Sequence, residues 1–122
     1  MSHSVLIVED DRQQREMLRA ILEGAGYAVS EAVNGAEALQ HLMRYTPDVL
    51  VLDILMPMLG GAVVLERIQQ MPALQDMRVV VLTGYPRFQE EAKQLGVDQF
   101  LVKPVKPHAF LQAIEAALQG DA

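Results

Sequence analysis

The sequence predicts an α/β fold, a single doubly wound domain with a parallel sheet covered by helices on both faces. Val5-Leu6-Ile7-Val8, Val49-Leu50-Val51-Leu52 and Val79-Val80-Val81-Leu82 are uninterrupted apolar runs, as in strands buried on both faces. Between them, apolar residues recur at helical spacing. Gly, Pro and Asn mark most of the boundaries.

Taken in order, the first strand runs over Val5–Val8 and ends in Glu9-Asp10-Asp11. A helix is predicted from about Arg12 to Glu23, with Met17, Leu18, Ile21 and Leu22 as its apolar stripe and Gly24 and Gly26 as its stop. Tyr27 to Ala32 reads as a mixed strand diluted by Ser30 and Glu31. Asn34-Gly35 opens a short helix with Ala38, Leu39 and Leu42, closed by Pro47. The third strand, Val49–Leu52, delivers Asp53, and a helix over about Gly61 to Met71 follows with Val64, Leu65 and Ile68 inward. The fourth strand ends in Thr83-Gly84. A helix from about Arg87 to Leu95 carries Phe88, Ala92 and Leu95 on one face. Gln99–Val102 is a short last strand leading into Lys103-Pro104, and Pro107 starts a helix with Phe110, Ile114 and Leu118.

Five strands alternating with five helices imply right-handed crossovers. The wholly apolar first, third and fourth strands belong in the middle, the mixed second and short fifth at the edges. The order 2-1-3-4-5 satisfies this, a flavodoxin-like (βα)5 arrangement whose switch point lies between the first and third strands. Those strands carry Glu9, Asp10 and Asp53, which should meet in one crevice.

The 122 residues suit one domain, compact from residue 4 to about 118 and able to bury about two-thirds of its unfolded surface. No apolar run approaches the roughly 20 residues of a membrane span, and no secretory signal is visible. The absence of cysteine rules out disulfides and thiolate metal sites and fits a cytoplasmic protein. A net charge of −6 with only ten scattered Lys and Arg speaks against direct nucleic-acid binding.

Converging carboxylates repel, by about 4 kcal/mol per close pair at 4 Å and an effective dielectric of about 20. Such a cluster persists if a cation occupies it or some members hold protons. An all-oxygen ligand set favours a hard divalent ion such as Mg²⁺, with Mn²⁺ able to substitute. The plainer reading of Glu9-Asp10-Asp11 is an acidic helix N-terminus, and Asp11 is expected to be only that. Thr83 offers a hydroxyl, or else an N-cap; Lys103 offers a counter-cation, or else a surface charge. Nucleophilic carboxylate, metal clamp, hydroxyl donor and cation together are the parts of in-line phosphoryl transfer.

At this point the chain resembles the receiver domains of two-component response regulators, over essentially residues 1–122. The resemblance rests on Val5-Leu6-Ile7-Val8-Glu9-Asp10, on Leu52-Asp53-Ile54-Leu55-Met56-Pro57-Met58-Leu59-Gly60, on Leu82-Thr83-Gly84 and on Phe100-Leu101-Val102-Lys103-Pro104. It implies that Asp53 accepts a phosphoryl group from a sensor histidine kinase or a histidine phosphotransfer protein. Glu9, Asp10, Asp53 and the backbone carbonyl of Leu55 would hold Mg²⁺, while Thr83 and Lys103 would contact the phosphoryl oxygens. Phe100 would be a switch aromatic coupled to Thr83, its plainer reading being core packing. The Lys103–Pro104 bond is expected to be cis, which spacing alone does not yield, since about 5% of X-Pro bonds are cis. An output domain or effector would read the face of the fourth helix, fifth strand and last helix, and a phosphorylation-dependent homodimer is compatible with it.

The resemblance also implies a domain that catalyses only its own phosphorylation and dephosphorylation, not an enzyme acting on other substrates. Leu55 and Tyr85 stand where the family often has polar residues, which implies a long-lived phosphoryl state; alternatively Tyr85 only packs beside Pro86. Leu59 also departs from the family pattern, in the loop. Two other classes are weighed. A Mg²⁺-dependent phosphatase would want an acid where Leu55 stands, and an FMN carrier would want hydroxyls and amides where Glu9-Asp10-Asp11 stand. Met1 to Ser4 is a short start, so a stand-alone regulator, a relay intermediate or the front of a longer protein is expected over the C-terminal receiver of a hybrid kinase.

Overall fold

The computed structural model describes residues 2–54 and 60–120. Among them, strands and α-helices alternate as β1 (Ser4–Val8), α1 (Arg12–Gly24), β2 (Ala28–Ala32), α2 (Gly35–Leu42), β3 (Val49–Asp53), α3 (Gly61–Gln69), β4 (Arg78–Thr83), α4 (Gln89–Gln94), β5 (Gln99–Val102) and α5 (Pro107–Gln119). The sheet is parallel throughout, in the order β2-β1-β3-β4-β5. The apolar strands are central and the polar or short ones lie at the edges, as expected.

Alternation along the strands divides the core in two. Val5, Ile7, Val49, Val51, Val80 and Leu82 pack under Leu18 and Leu22 of α1 and Phe110, Ala113, Ile114 and Ala117 of α5. Leu6, Val8, Leu50, Leu52, Val79 and Val81 face Ala38 and Leu42 of α2 and Val64, Leu65 and Ile68 of α3, with Phe88, Leu95 and Phe100 at the margin. Each fully buried branched side chain of this kind contributes about 2 kcal/mol.

The helix starts follow from local chemistry. Asp11 is the N-cap of α1 and accepts hydrogen bonds from the N–H groups of Gln13 (2.8 Å) and Gln14 (3.3 Å), the role expected of it. Asn34 caps α2 by accepting from Glu37 N–H at 2.8 Å. Two ends differ from expectation for one reason. A residue preceding proline is pushed out of the helical region. Met71 (φ −108°, ψ 101°) before Pro72 and Tyr85 (φ −113°, ψ 99°) before Pro86 are accordingly extended. Thus α3 stops at Gln69, and a 3₁₀ turn over Pro86–Phe88 precedes α4. Met17 also departs from the predicted stripe. It is 45% exposed and borders an open groove against Pro104 and Val105.

Two contacts tie these elements to the rim of the sheet. A Cβ on Gly61 would lie 2.8 Å from Ile54 Cα and 3.0 Å from the Asp53 carbonyl oxygen, so α3 can approach the end of β3 only without a side chain there. Gly61→Ala is therefore expected to cost about 2 kcal/mol through overpacking and to displace the end of β3 that carries Asp53. The denaturant midpoint reads the first effect.

The second contact is ionic. Glu31 on β2 accepts from Arg15 Nε at 2.7 Å and also pairs with Arg19. Burial pushes the Glu31 carboxyl up, but hydrogen bonds from Arg19 and Arg15 outweigh it and hold the group below its ordinary 4.5. A depressed carboxyl stabilises the fold above its unfolded-state value, and that contribution is lost as pH falls through the folded-state value. Glu31→Gln should cost about 1–2 kcal/mol at neutral pH and flatten the acid limb of the stability profile, measured by urea unfolding between neutral pH and pH values below 4.5.

Candidate functional site

The crossovers on the two sides of the switch point leave in opposite directions. Helix α1 covers one face after β1 and α3 the other after β3, so a crevice opens between the carboxyl ends of these strands. Val8 is paired with Leu52, and one step further places Glu9 beside Asp53. Both acids continue the alternation of Val5-Ile7 and Val49-Val51, so they turn to the α1/α5 side of the rim. They are 1% and 5% exposed, whereas Asp10, one residue on, is exposed. Carboxylate oxygens of Glu9, Asp10 and Asp53 lie within 4.8 Å of one another.

Lys103 follows β5 and lies on the same side. Its Nζ donates to Glu9 Oε1 at 3.0 Å and to Asp53 Oδ2 at 3.1 Å. Its backbone N–H donates to the Thr83 carbonyl at 2.8 Å, and the Lys103–Pro104 peptide is cis. Burial pushes the Glu9 carboxyl up to about 7, and Asp53 adds to the rise against the lowering effect of Lys103 and of Asp11 N–H. For Lys103, burial lowers the ammonium, but the bonds to Glu9 and Asp53 outweigh it and raise the group above its ordinary value.

The donor set fits a hard divalent cation. The ligands are oxygens alone, and three carboxyl groups gather where one ammonium is the counter-charge, an arrangement a divalent cation completes. Around them lies an open cleft of about 360 Å³ lined by Glu9, Asp10, Asp11, Gln14, Asp53, Gly84 and Lys103, with room for a phosphoryl group.

Thr83 stands apart from this lining. It is fully buried, continues the alternation of Val79 and Val81 towards the α3/α4 side, and its Oγ1 accepts from Tyr85 N–H at 3.1 Å. Tyr85 is 56% exposed. Phe100 is half-buried and stacks on Phe88 with ring centroids 6.4 Å apart. Leu55, whose carbonyl and side chain were both assigned roles, lies outside the described residues, as does Leu59.

One residue that sequence reasoning missed is Arg15. Besides holding Glu31, its Nη1 donates to the carbonyl oxygen of Glu9 at 3.0 Å and, more weakly, to that of Asp10 at 3.5 Å. A basic residue one turn into a helix that follows an acid pair was the available signal.

An open parallel sheet with acids and a lysine gathered at its switch point defines an α/β domain whose ligand site lies at the carboxyl ends of its strands. The chain belongs to the response regulator receiver domain family, whose sequence profile matches residues 5–115. It is 34% identical over 119 residues to the chemotaxis protein CheY of Bacillus subtilis, covering 97% of this chain and 99% of that one. It is 38% identical over 117 residues to the response regulator MprA of Mycobacterium leprae, covering 94% of this chain and 50% of that longer protein. A putative response regulator from Chloroflexus aurantiacus superposes with a TM-score of 0.93 at 33% identity, over 98% of this chain and 99% of that one. The domain is thus a two-component signalling module and not a classical enzyme. No helix among the described residues is long and apolar enough to cross a membrane.

Proposed function

We propose that residues 1–122 act as one receiver domain that takes a phosphoryl group on Asp53 in a Mg²⁺-dependent reaction and passes the change to an output surface. The observation that carries this reading is the double hydrogen bond from Lys103 to Glu9 and Asp53, which joins residues from opposite ends of the chain in one cleft. An Asp53 carboxylate oxygen attacks phosphorus, the P–O or P–N bond of the donor breaks, and the donor leaves with its electron pair. Glu9, Asp10 and Asp53 would hold the cation, which would supply charge neutralisation to the transferring group. Lys103 meets the phosphoryl oxygens from the side of β5. The donor is a phosphohistidine of a sensor kinase or a phosphotransfer protein, and the setting is the cytoplasm.

The switch follows from what phosphate adds. A dianionic group on Asp53 offers the Thr83 hydroxyl a strong new acceptor. Turning towards it gives up the bond from Tyr85 N–H, so the segment over Tyr85–Phe88 rearranges with it. Phe88 and Phe100 are next in contact, and α4, β5 and α5 carry the readout to an output domain, an effector or a second copy. In that state Tyr85 shields the acyl phosphate. Tyr85→Ala should shorten the phosphoryl lifetime severalfold, measured as decay after removal of donor; an unchanged lifetime removes the shielding role.

The reading as a whole is tested by incubation with acetyl phosphate and Mg²⁺ followed by intact-mass and peptide mass spectrometry. One phosphoryl group per chain on the peptide holding Asp53 is expected, and none without the cation. A label on another peptide, or no label, overturns the proposal.

A further inference from the structure

We infer that Arg15 is a positioning residue for cation binding, acting through the backbone of the two acids rather than through their side chains. The inference rests on the reading of Glu9, Asp10 and Asp53 as the cation ligands. Glu9 and Asp10 sit in the short link between β1 and α1, and their carboxylates can converge on an ion only if that link is held in one conformation. Glu9 N–H is fixed by donating to the Ala32 carbonyl of β2 at 3.1 Å. Its carbonyl, and that of Asp10, point the other way, to Arg15 Nη1.

The guanidinium is in turn anchored by Glu31 at Nε, and only 14% of its side chain is exposed. It is a planar fork with one prong on the edge strand and another on the ligand-bearing turn. Glu31 is further held by Arg19, which also pairs with Glu23 and donates to the Val29 carbonyl. Residues that orient metal ligands from behind commonly change affinity by about 10- to 100-fold when removed.

Electrostatics alone makes the opposite prediction, so the sign of the effect decides. Arg15 is a cation beside a site for a cation. If it contributed only charge, removing it would relieve repulsion and tighten binding. If it positions the turn, removing it weakens binding despite that relief.

The experiment titrates Mn²⁺ into the full chain and reads free ion by electron paramagnetic resonance, with thermal unfolding of the same samples. Arg15→Ala should weaken Mn²⁺ binding by about tenfold. Arg15→Lys should recover only part, since one ammonium cannot span Glu31 and the Glu9 carbonyl together. Glu31→Gln leaves the Arg15 charge in place but loosens its anchor and should also weaken binding. Arg12→Ala, which removes an equally positive but exposed side chain paired with Glu16, should not. An affinity in Arg15→Ala equal to or tighter than that of the unmodified chain overturns the inference, as does an equal loss in Arg12→Ala. Should Arg15→Ala not fold, unchanged affinity in both Arg15→Lys and Glu31→Gln overturns it. A lower melting temperature with unchanged Mn²⁺ affinity assigns Arg15 to stability alone and overturns it too. If the unmodified chain binds no Mn²⁺, or binds it as well after Asp53→Asn, the cation site itself fails; loss in Asp53→Asn with none in Arg15→Ala removes only the role of Arg15.

Discussion

Asp53→Asn is expected to abolish the phosphoryl adduct and, in the absence of divalent cation, to make the domain more stable. The first effect is all or none, since an amide is not a nucleophile towards phosphorus and Asp53 is the acid at the end of β3 that Lys103 holds in the cleft. The second follows from what surrounds Asp53. Asp53 is nearly fully buried beside Glu9. Close carboxylates at an effective dielectric of about 20 repel by about 4 kcal/mol in gross terms, and the Lys103 bond that the variant weakens returns about 1.5–3 kcal/mol. Even with the larger value for that bond, a difference of about 1 kcal/mol remains in favour of the variant. For a chain of this length it appears as a rise of about 4 °C in melting temperature. The stabilisation that Mg²⁺ gives should shrink in the same variant, because a ligand has gone. A phosphoryl group still acquired by Asp53→Asn at the normal rate would sink the assignment, and a fall in cation-free stability would sink the electrostatic account of the cluster. Function here is retained at the expense of stability, as is common where like charges must be held together.

The rim of the sheet was legible in the sequence to the extent that strand patterns determine topology. Three uninterrupted apolar runs located the central strands, and the polar Ser30-Glu31 and the shortness of 99–102 assigned the edges. Strand order then brought Glu9 and Asp53 together without reference to distance. Lys103 was harder, since nothing in its neighbours distinguishes it from a surface lysine. Its place depends on β5 pairing beside β4 so that an ammonium on a long stem can reach back across the sheet. The cis bond after it came from resemblance alone. Arg15 and Glu31 were invisible as a pair. Glu31 looked like dilution of an edge strand and Arg15 like the solvent face of a helix, and only the packing of α1 over β2 makes them partners. Thr83 shows a different limit. Counting alternate residues from Val79 puts its side chain on the face opposite Asp53, but the count does not give the bond to Tyr85 N–H that holds the hydroxyl there.

Lys103→Met is expected to lower the stability of the cation-free domain by about 2–3 kcal/mol, and Mg²⁺ is expected to restore most of it. Truncating one partner of a buried ionic contact ordinarily costs about 3–5 kcal/mol, because the remaining charge is stranded. Here two charges are stranded, Glu9 and Asp53, whose side chains are 2% and 7% exposed against 24% for Lys103. The loss is softened because Glu9, already raised to about 7 by burial, can take up a proton once the ammonium is gone. A fall of about 10 °C in melting temperature follows. A divalent cation then does for the acids what Lys103 did, and with one positive charge fewer beside it the ion binds more tightly. At a hundred times its dissociation constant it contributes about 2.7 kcal/mol, comparable to what loss of the ammonium costs, and the gap to the unmodified chain, which Mg²⁺ also stabilises, narrows by the difference in affinity. Melting curves with and without saturating Mg²⁺ read both halves. Equal stability without cation would mean that Lys103 does not neutralise the acids in solution, and a gap that Mg²⁺ fails to narrow would mean that the carboxylates do not converge on an ion. Phosphorylation should stay impaired even where stability is restored, since the cation replaces the charge of the ammonium but not its hydrogen bonds to the transferred group.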